Sequence, residues 1–314
     1  MKITATVLVI TGLLFCVGCG SDSGGGVINQ PTVWKSLNSN TSQTLLGVSF
    51  INNAKGWMCG TGGTIFSTLD GGNTWSTQFS GTSKFIRDIY FFDETTGTCV
   101  GESGLILRTT NSGGTWIPQS SGVTDHLTHV YFYNALVGMA TGVNGTILKT
   151  IDGGTNWIKQ TTGVTNDITC VFMISETVAV ATGYGGLILR TINGGANWVS
   201  VASGVTNNLR GVSFYGSNGV IVGLSGKILY SSNGGQSWLS LTTGVSNDLF
   251  AVQHGDASYV FICGTAALLI STDGGNDWTY SSSPNIIGDL YAISMKSGRG
   301  WTVGQNGMLF TYFP

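Results

Sequence analysis

The chain has 314 residues and a net charge of −2, and Asp, Glu, Lys and Arg make up only 9% of it, against ~25% in typical soluble domains. That balance argues against a nucleic-acid partner, which would need a basic stripe. Gly contributes 49 residues, so the expected surface is Ser, Thr, Asn and Gly, as in many exported proteins. The N-terminus reads as a targeting segment: Lys2 precedes an apolar run over 5–17 that closes on small residues. That run is shorter than the ~20 apolar residues a spanning helix needs, and no other segment is long and apolar enough.

Cys16-Val-Gly-Cys19 resembles the lipobox of bacterial lipoproteins, with Cys at 16 where Leu is usual. The resemblance implies removal of residues 1–18 and diacylation of Cys19; an ordinary signal peptide is the alternative. Gly20-Ser-Asp-Ser-Gly-Gly-Gly26 belongs to an expected flexible tether over 19–31.

From residue 32 the chain repeats. Thr68-Leu-Asp-Gly-Gly-Asn-Thr-Trp75 returns in five further octapeptides that end at Trp116, Trp157, Trp198, Trp238 and Trp278. The Trp-to-Trp steps are 41, 41, 41, 40 and 40, and one step back from Trp75 lands on Trp34. A fixed period near 40 marks a propeller blade. Each repeat reads as four short strands, over 45–51, 56–60, 64–68 and 75–79 in the first. Val48 and Phe50 alternate onto one face, as do Ile89/Phe91, Val130/Phe132, Val171/Met173, Val212/Phe214, Val252/His254 and Ile293/Met295. Between the second and third strands lies a Gly-x-x-Gly turn, beginning at Gly60, Gly101, Gly142, Gly183, Gly223 and Gly304, for which both glycines are expected at positive φ. Gly264-Thr-Ala-Ala267 breaks the pattern.

After Trp278 a seventh repeat begins and stops at Pro314 without a fourth strand, whereas the segment around Trp34 has a fourth strand and no first three. Joining them closes a ring and removes open edges. The expected fold is all-β: a seven-bladed β-propeller over 32–314 with four-stranded antiparallel blades. Asp70, Asn111, Asp152, Asn193, Asn233 and Asp273 head the repeated turns. Because Asn replaces Asp in three, these side chains are expected to cap their own turns, with each Trp buried between blades. Cys59, Cys99, Cys170 and Cys263 lie in different repeats and read as buried small hydrophobes, not as a disulfide framework or zinc site.

The octapeptide matches the Asp-box, Ser/Thr-x-Asp-x-Gly-x-Thr-Trp, of the sialidase-type (BNR) repeat. The fuller unit is Ile86-Arg-Asp-Ile-Tyr-Phe91, Cys99-Val-Gly-Glu-Ser-Gly-Leu-Ile-Leu-Arg-Thr-Thr110 and the octapeptide to Trp116. It resembles the repeat of the photosystem II stability/assembly factor family of seven-bladed propellers. The resemblance covers nearly all of 32–314 and implies an assembly scaffold that docks a membrane-protein partner, not an enzyme.

In a propeller the fourth-to-first loops (81–85, 122–126, 163–167, 204–208, 244–248 and 284–289) share a face with the second-to-third turns, around the channel mouth. The position where each first strand begins varies most: Leu46, Arg87, Thr128, Thr169, Arg210, Phe250 and Tyr291. Partner contacts are expected there, and Arg, Tyr and Phe suit an interface. The candidate site is Arg87 and Arg210, with Glu102, Tyr184, Phe250 and Tyr291 nearby. The competing reading pairs each Arg with a local carboxylate or lays it over apolar surface. His254 replaces an apolar residue of the core register, and a hydrogen-bonded internal His is expected there. Asp88, His129 and Cys170 share one register on successive blades; sheets ~10 Å apart should keep them from a common metal.

A sialidase-like enzyme needs an arginine cluster, and of the five Arg only Arg87 and Arg210 are expected near the axis. Catalysis, cofactors and metals are therefore not expected. The functional expectation is a monomeric, lipid-anchored scaffold on the cell envelope, with the outer membrane preferred. It would bind a protein partner, for example a membrane protein or envelope complex. The alternative is a carbohydrate-binding propeller.

Overall fold

A computed structural model describes residues 33–281 and 286–313. The targeting segment, Cys19 and the tether lie outside the described residues, as does part of the 284–289 loop. The described strands form seven four-stranded antiparallel sheets. Blade 1 contains Leu45–Phe50, Gly56–Gly60, Ile65–Thr68 and Ser76–Gln78. Blade 2 contains Ile86–Phe91, Gly97–Gly101, Ile106–Thr109 and Ile117–Pro118. Blades 3 to 6 repeat this order, with first strands Leu127–Phe132, Ile168–Met173, Leu209–Tyr215 and Leu249–His254. Blade 7 is Leu290–Lys296, Arg299–Gly304 and Leu309–Phe313, completed by the N-terminal Val33–Ser36. That strand pairs antiparallel with the third, Trp34 opposite Tyr312, so the ring closes as the truncated repeats require.

The octapeptides perform one job six times. In the first, the Asp70 carboxylate accepts the amide of Thr74 at 2.9 Å, and the Thr68 hydroxyl accepts the amide of Gly72 at 3.0 Å. Asn111, Asp152, Asn193, Asn233 and Asp273 accept the same amide in their own turns. An acceptor oxygen suffices, which is why Asp and Asn interchange. The rings of Trp75, Trp116, Trp157 and Trp238 meet the first-strand Phe of their blade edge-on, 5.7–6.0 Å between centroids, and close the gap to the preceding blade.

The expectation for the Gly-x-x-Gly turn is half corrected. The second glycine has positive φ, 72° at Gly63 and 67° at Gly104, but so does the residue before it, which is Ser103, Asn144, Ser225 or Asn306 in four blades. The first glycine is extended, with φ −174° at Gly60. It is glycine because a Cβ at Gly60 would run into the Thr44 carbonyl oxygen of the incoming loop. In blade 6, Ala266 takes the positive φ and Ala267 already belongs to the third strand.

Polar staples join successive blades. Arg108 donates to the Gly153 carbonyl at 2.6 Å, Lys149 to Gly194 at 2.7 Å and Arg190 to Gly234 at 2.9 Å. Each runs from a third strand to the next blade's repeated turn. Arg108 and Arg190 thus sit away from the axis, as expected. In blade 1 the staple comes from Trp57 and Gln78, which both donate to the Ser112 carbonyl.

Candidate functional site

The first strand of every blade is an inner edge without a further strand to pair with. Its polar groups are satisfied sideways instead. The Ser49 hydroxyl accepts the Phe91 amide, the Gln253 carbonyl oxygen accepts the Met295 amide, and Ser294 accepts the Phe50 amide. Thr128 and Thr169 hydroxyls donate to the carbonyls of Ile168 and Leu209.

All seven first strands also carry a β-bulge at their start, between Leu45 and Gly47 in blade 1 and between Ile86 and Asp88 in blade 2. A bulge sets two residues against one and re-aims side chains. Here it turns Leu46, Arg87, Thr128, Thr169, Arg210, Phe250 and Tyr291 into an axial cavity of about 800 Å³, lined by the first strands of all blades. The bulge left no mark in the hydrophobic alternation, although the two adjacent non-core residues Arg87-Asp88 were a signal for it.

Four of the six candidate residues form one contiguous run. The Arg210 guanidinium lies 5.1 Å from the Tyr184 ring centroid and 5.9 Å from that of Phe250. Phe250 in turn lies 5.4 Å from Tyr291. Tyr291 is tied down by its hydroxyl, which donates to Asp289 at 3.1 Å and accepts from Gln305 at 3.2 Å; burial pushes that hydroxyl's pKa above the usual value. The other two, Arg87 and Glu102, form a separate ion pair at 3.7 Å, and Glu102 also accepts the Phe85 amide. Arg87 therefore has its local carboxylate and faces the cavity as well. The Nε atoms of both Arg87 and Arg210 are buried without a partner. The face has two anchors: a cation clamped by aromatics across blades 4 to 7, and an ion pair on blade 2.

Deeper in, the expected separation of Asp88 and His129 is corrected. Inner strands converge on the axis more closely than stacked sheets, and His129 Nε2 lies 3.7 Å from Asp88 Oδ2. Asp88 also accepts the Val130 amide at 2.9 Å. Burial pushes the Asp88 carboxyl up, against the pull of His129. Among the described residues, no group of three acidic, His or Cys side chains is arranged to hold a metal ion. His254 is half-buried, and its Nδ1 meets the Ser213 hydroxyl at 2.9 Å, the internal hydrogen bond that the sequence suggested. Cys59, Cys99, Cys170 and Cys263 are all buried free thiols.

Residues 28–120 match the family described as Photosynthesis system II assembly factor YCF48. A 73-residue stretch is 32% identical to the photosystem II assembly lipoprotein Ycf48 of Picosynechococcus sp. (strain ATCC 27264 / PCC 7002 / PR-6). It covers 22% of this chain and 19% of that relative, so the chain spans about a fifth of the curated relative's length. A solved structure of YCF48 bound to D1 peptide superposes with a TM-score of 0.75 at 22% identity, over 92% of this chain and 96% of the other. The chain is a seven-bladed propeller whose residues 28–120 are similar to the photosystem II assembly factors. YCF48 from Cyanidioschyzon merolae gives a TM-score of 0.73 at 20% identity, over 90% and 98% of the two chains. The WD40 propeller domain of Doa1 also reaches 0.73, at 12% identity over 87% and 94%. The architecture is thus shared well beyond assembly factors, whereas the assembly factor-like character rests on the sequence match within 28–120.

Proposed function

We propose that this chain is a non-catalytic protein-binding scaffold, held at the bacterial cell envelope through a diacylated Cys19. It docks a segment of a membrane or envelope protein on its channel-mouth face. The observation that carries this reading is the Tyr184–Arg210–Phe250–Tyr291 run beside the axial cavity. Rigid aromatics around a half-buried guanidinium are the groups that dominate protein interfaces, and the positions carrying them, three on first strands and Tyr184 on a second-to-third turn, serve no staple or core role. Support comes also from the YCF48 structure with its bound D1 peptide, and from a curated relative that is a lipoprotein. The test is affinity capture from solubilised envelope with the intact lipidated chain, run beside a glycan array. A partner recovered by the wild type and lost with Arg210→Ala and Phe250→Ala supports the proposal. Recovery unchanged by these substitutions removes the site, and glycan binding without a protein partner favours the carbohydrate-binding alternative.

A further inference from the structure

The cysteines are not equivalent. Cys59, Cys99 and Cys263 are fully buried on second strands, and burial holds their thiols well above the usual range, at about 12 for Cys263. Cys170 sits instead at the bulge of a first strand and lines the axial cavity, 7% exposed. At the same register the two preceding blades place His129 and Asp88, while the other four carry Gly47, Gly211, Ala251 and Ala292. The three side chains follow one another around the axis: the shared register at the bulge sets Cys170 beside His129 in the cavity wall, and His129 contacts Asp88 at 3.7 Å. A nucleophile beside an imidazole that is itself held by a carboxylate is the arrangement that activates thiols. Buried structural thiols, by contrast, are inert.

We propose that Cys170 is a peroxide-reactive thiol, served by His129 and Asp88 and reached by small neutral hydroperoxides along the axial channel. The thiolate sulfur attacks one peroxide oxygen, the O–O bond breaks, and the departing hydroxide takes the imidazolium proton of His129 to leave as water. Sulfur is oxidised by two electrons to the sulfenic acid as the peroxide is reduced. Peroxide cleavage, unlike alkylation, needs a proton for its leaving group, and His129 is placed to give one. Burial alone would lower His129, but the neighbouring Cys170 and Asp88 raise it to about 9, so that it holds that proton at neutral pH.

The test treats the full-length chain with hydrogen peroxide at neutral pH, traps sulfenic acid with dimedone and maps it by mass spectrometry. Cys170 is expected to react faster than free cysteine, with Cys59, Cys99 and Cys263 unmodified until denaturant is added. Positioned proton transfer is worth about 10²–10⁴-fold in rate. His129→Gln should therefore slow oxidation at least about tenfold while reducing iodoacetamide alkylation of Cys170 much less. Asp88→Asn provides a second variant, with a smaller loss in the same direction. Oxidation of wild-type Cys170 no faster than free cysteine overturns the proposal without any variant. Equal loss of oxidation and alkylation in a folded His129→Gln chain also overturns it, since access alone would then be at stake.

Discussion

The indole N–H of Trp301 donates to the carbonyl of Gly71 at 2.9 Å. This bond crosses from the seventh, truncated repeat to the first repeated turn, and Arg299 adds a second donor to the same oxygen at 3.0 Å. The Trp301 ring also stacks on Phe50, 3.6 Å between centroids. Trp57 repeats the arrangement one blade on, stacking on Phe91 and donating to the Ser112 carbonyl. The junction where a propeller must close thus carries two hydrogen bonds and an aromatic stack, more than the single Arg or Lys staples from blades 2 to 4. Blades 5 and 6 have Tyr230 and Ile270 at the staple position. The ring's reinforcement is concentrated at its closure and at the next junction, between blades 1 and 2.

Closure depends on the N-terminal strand. Trp34 is 1% exposed and packs on Phe261 and Tyr312, so Trp34→Ala is expected to cost about 3–5 kcal/mol. A chain starting near residue 42 leaves the Leu309–Phe313 strand as an open edge, and should lose its single cooperative melt and self-associate. Differential scanning calorimetry with light scattering reads both. A truncated chain that stays monomeric and melts as the longer one does would refute closure by this strand.

The repeated turns predict a graded acid response. Hydrogen bonds from the Thr74 hydroxyl and amide hold the Asp70 carboxyl at about 2, below its unfolded value near 3.9. A depressed pKa contributes stability that is present above the unfolded value and lost as pH falls toward 2. Asp70→Asn should therefore flatten the stability curve between pH 4 and pH 2 and change little at pH 7, since Asn111, Asn193 and Asn233 already do the same work. Urea midpoints across that range provide the measurement, and a large loss at pH 7 would contradict it.

The blade count, closure and repeated turns were legible because each is written several times: an octapeptide at a fixed period exposes its own grammar. The channel was legible only in part. That Arg87 and Arg210 face the axis followed from register, and both do. What the alternation could not show was the bulge, because two residues opposite one leave the core positions Ile86 and Ile89 apolar while adding a residue between them. The Asp88–His129 contact was missed for a related reason. A spacing taken from stacked sheets does not hold where seven inner strands converge, and that convergence belongs to the assembled ring, not to any one repeat. Trp57 and Trp301 stand where the other second strands carry Thr98, Met139, Val180, Val220 and Phe261, and only the structure shows why.

His129 predicts an alkaline response. Burial opposes its charge, but Cys170 and Asp88 raise it to about 9, from ~6.5 unfolded. A raised pKa contributes stability that is full below pH 6.5 and lost as pH climbs toward 9. The wild-type melting temperature should fall across that window, and His129→Gln should lower it at pH 6 while removing part of the slope. Curves that stay parallel from pH 6 to pH 9 would show that the imidazole makes no difference between the folded and unfolded states.

His254 works in the opposite sense. Burial lowers it to about 4, and its Nε2 is buried without a partner. Its contribution is full above pH 6.5 and lost as pH falls toward 4. Met occupies the same register in blades 4 and 7, as Met173 and Met295. His254→Met should therefore be stabilising at pH 4.5 relative to the wild type and close to neutral at pH 8. A thermal-shift difference that does not grow on acidification would count against this.

Arg210 separates charge from shape. Its guanidinium lies over two rings, Tyr184 and Phe250, with its Nε unpartnered. Lysine would keep the positive charge but lose the planar stack. If the partner recognises the clamped, pre-positioned guanidinium, Arg210→Lys should weaken capture nearly as much as Arg210→Ala. Phe250→Ala should weaken it too, by freeing the side chain, although the charge is untouched. A stacked cation is worth about 0.5–2 kcal/mol, a loss of roughly 2- to 30-fold in affinity. Each substitution should leave the melting temperature nearly unchanged, because the residue lies in no staple and no inner-edge hydrogen bond. Binding to the captured partner, measured by surface plasmon resonance, distinguishes the two cases. Full affinity in Arg210→Lys would mean that charge alone is read at this mouth.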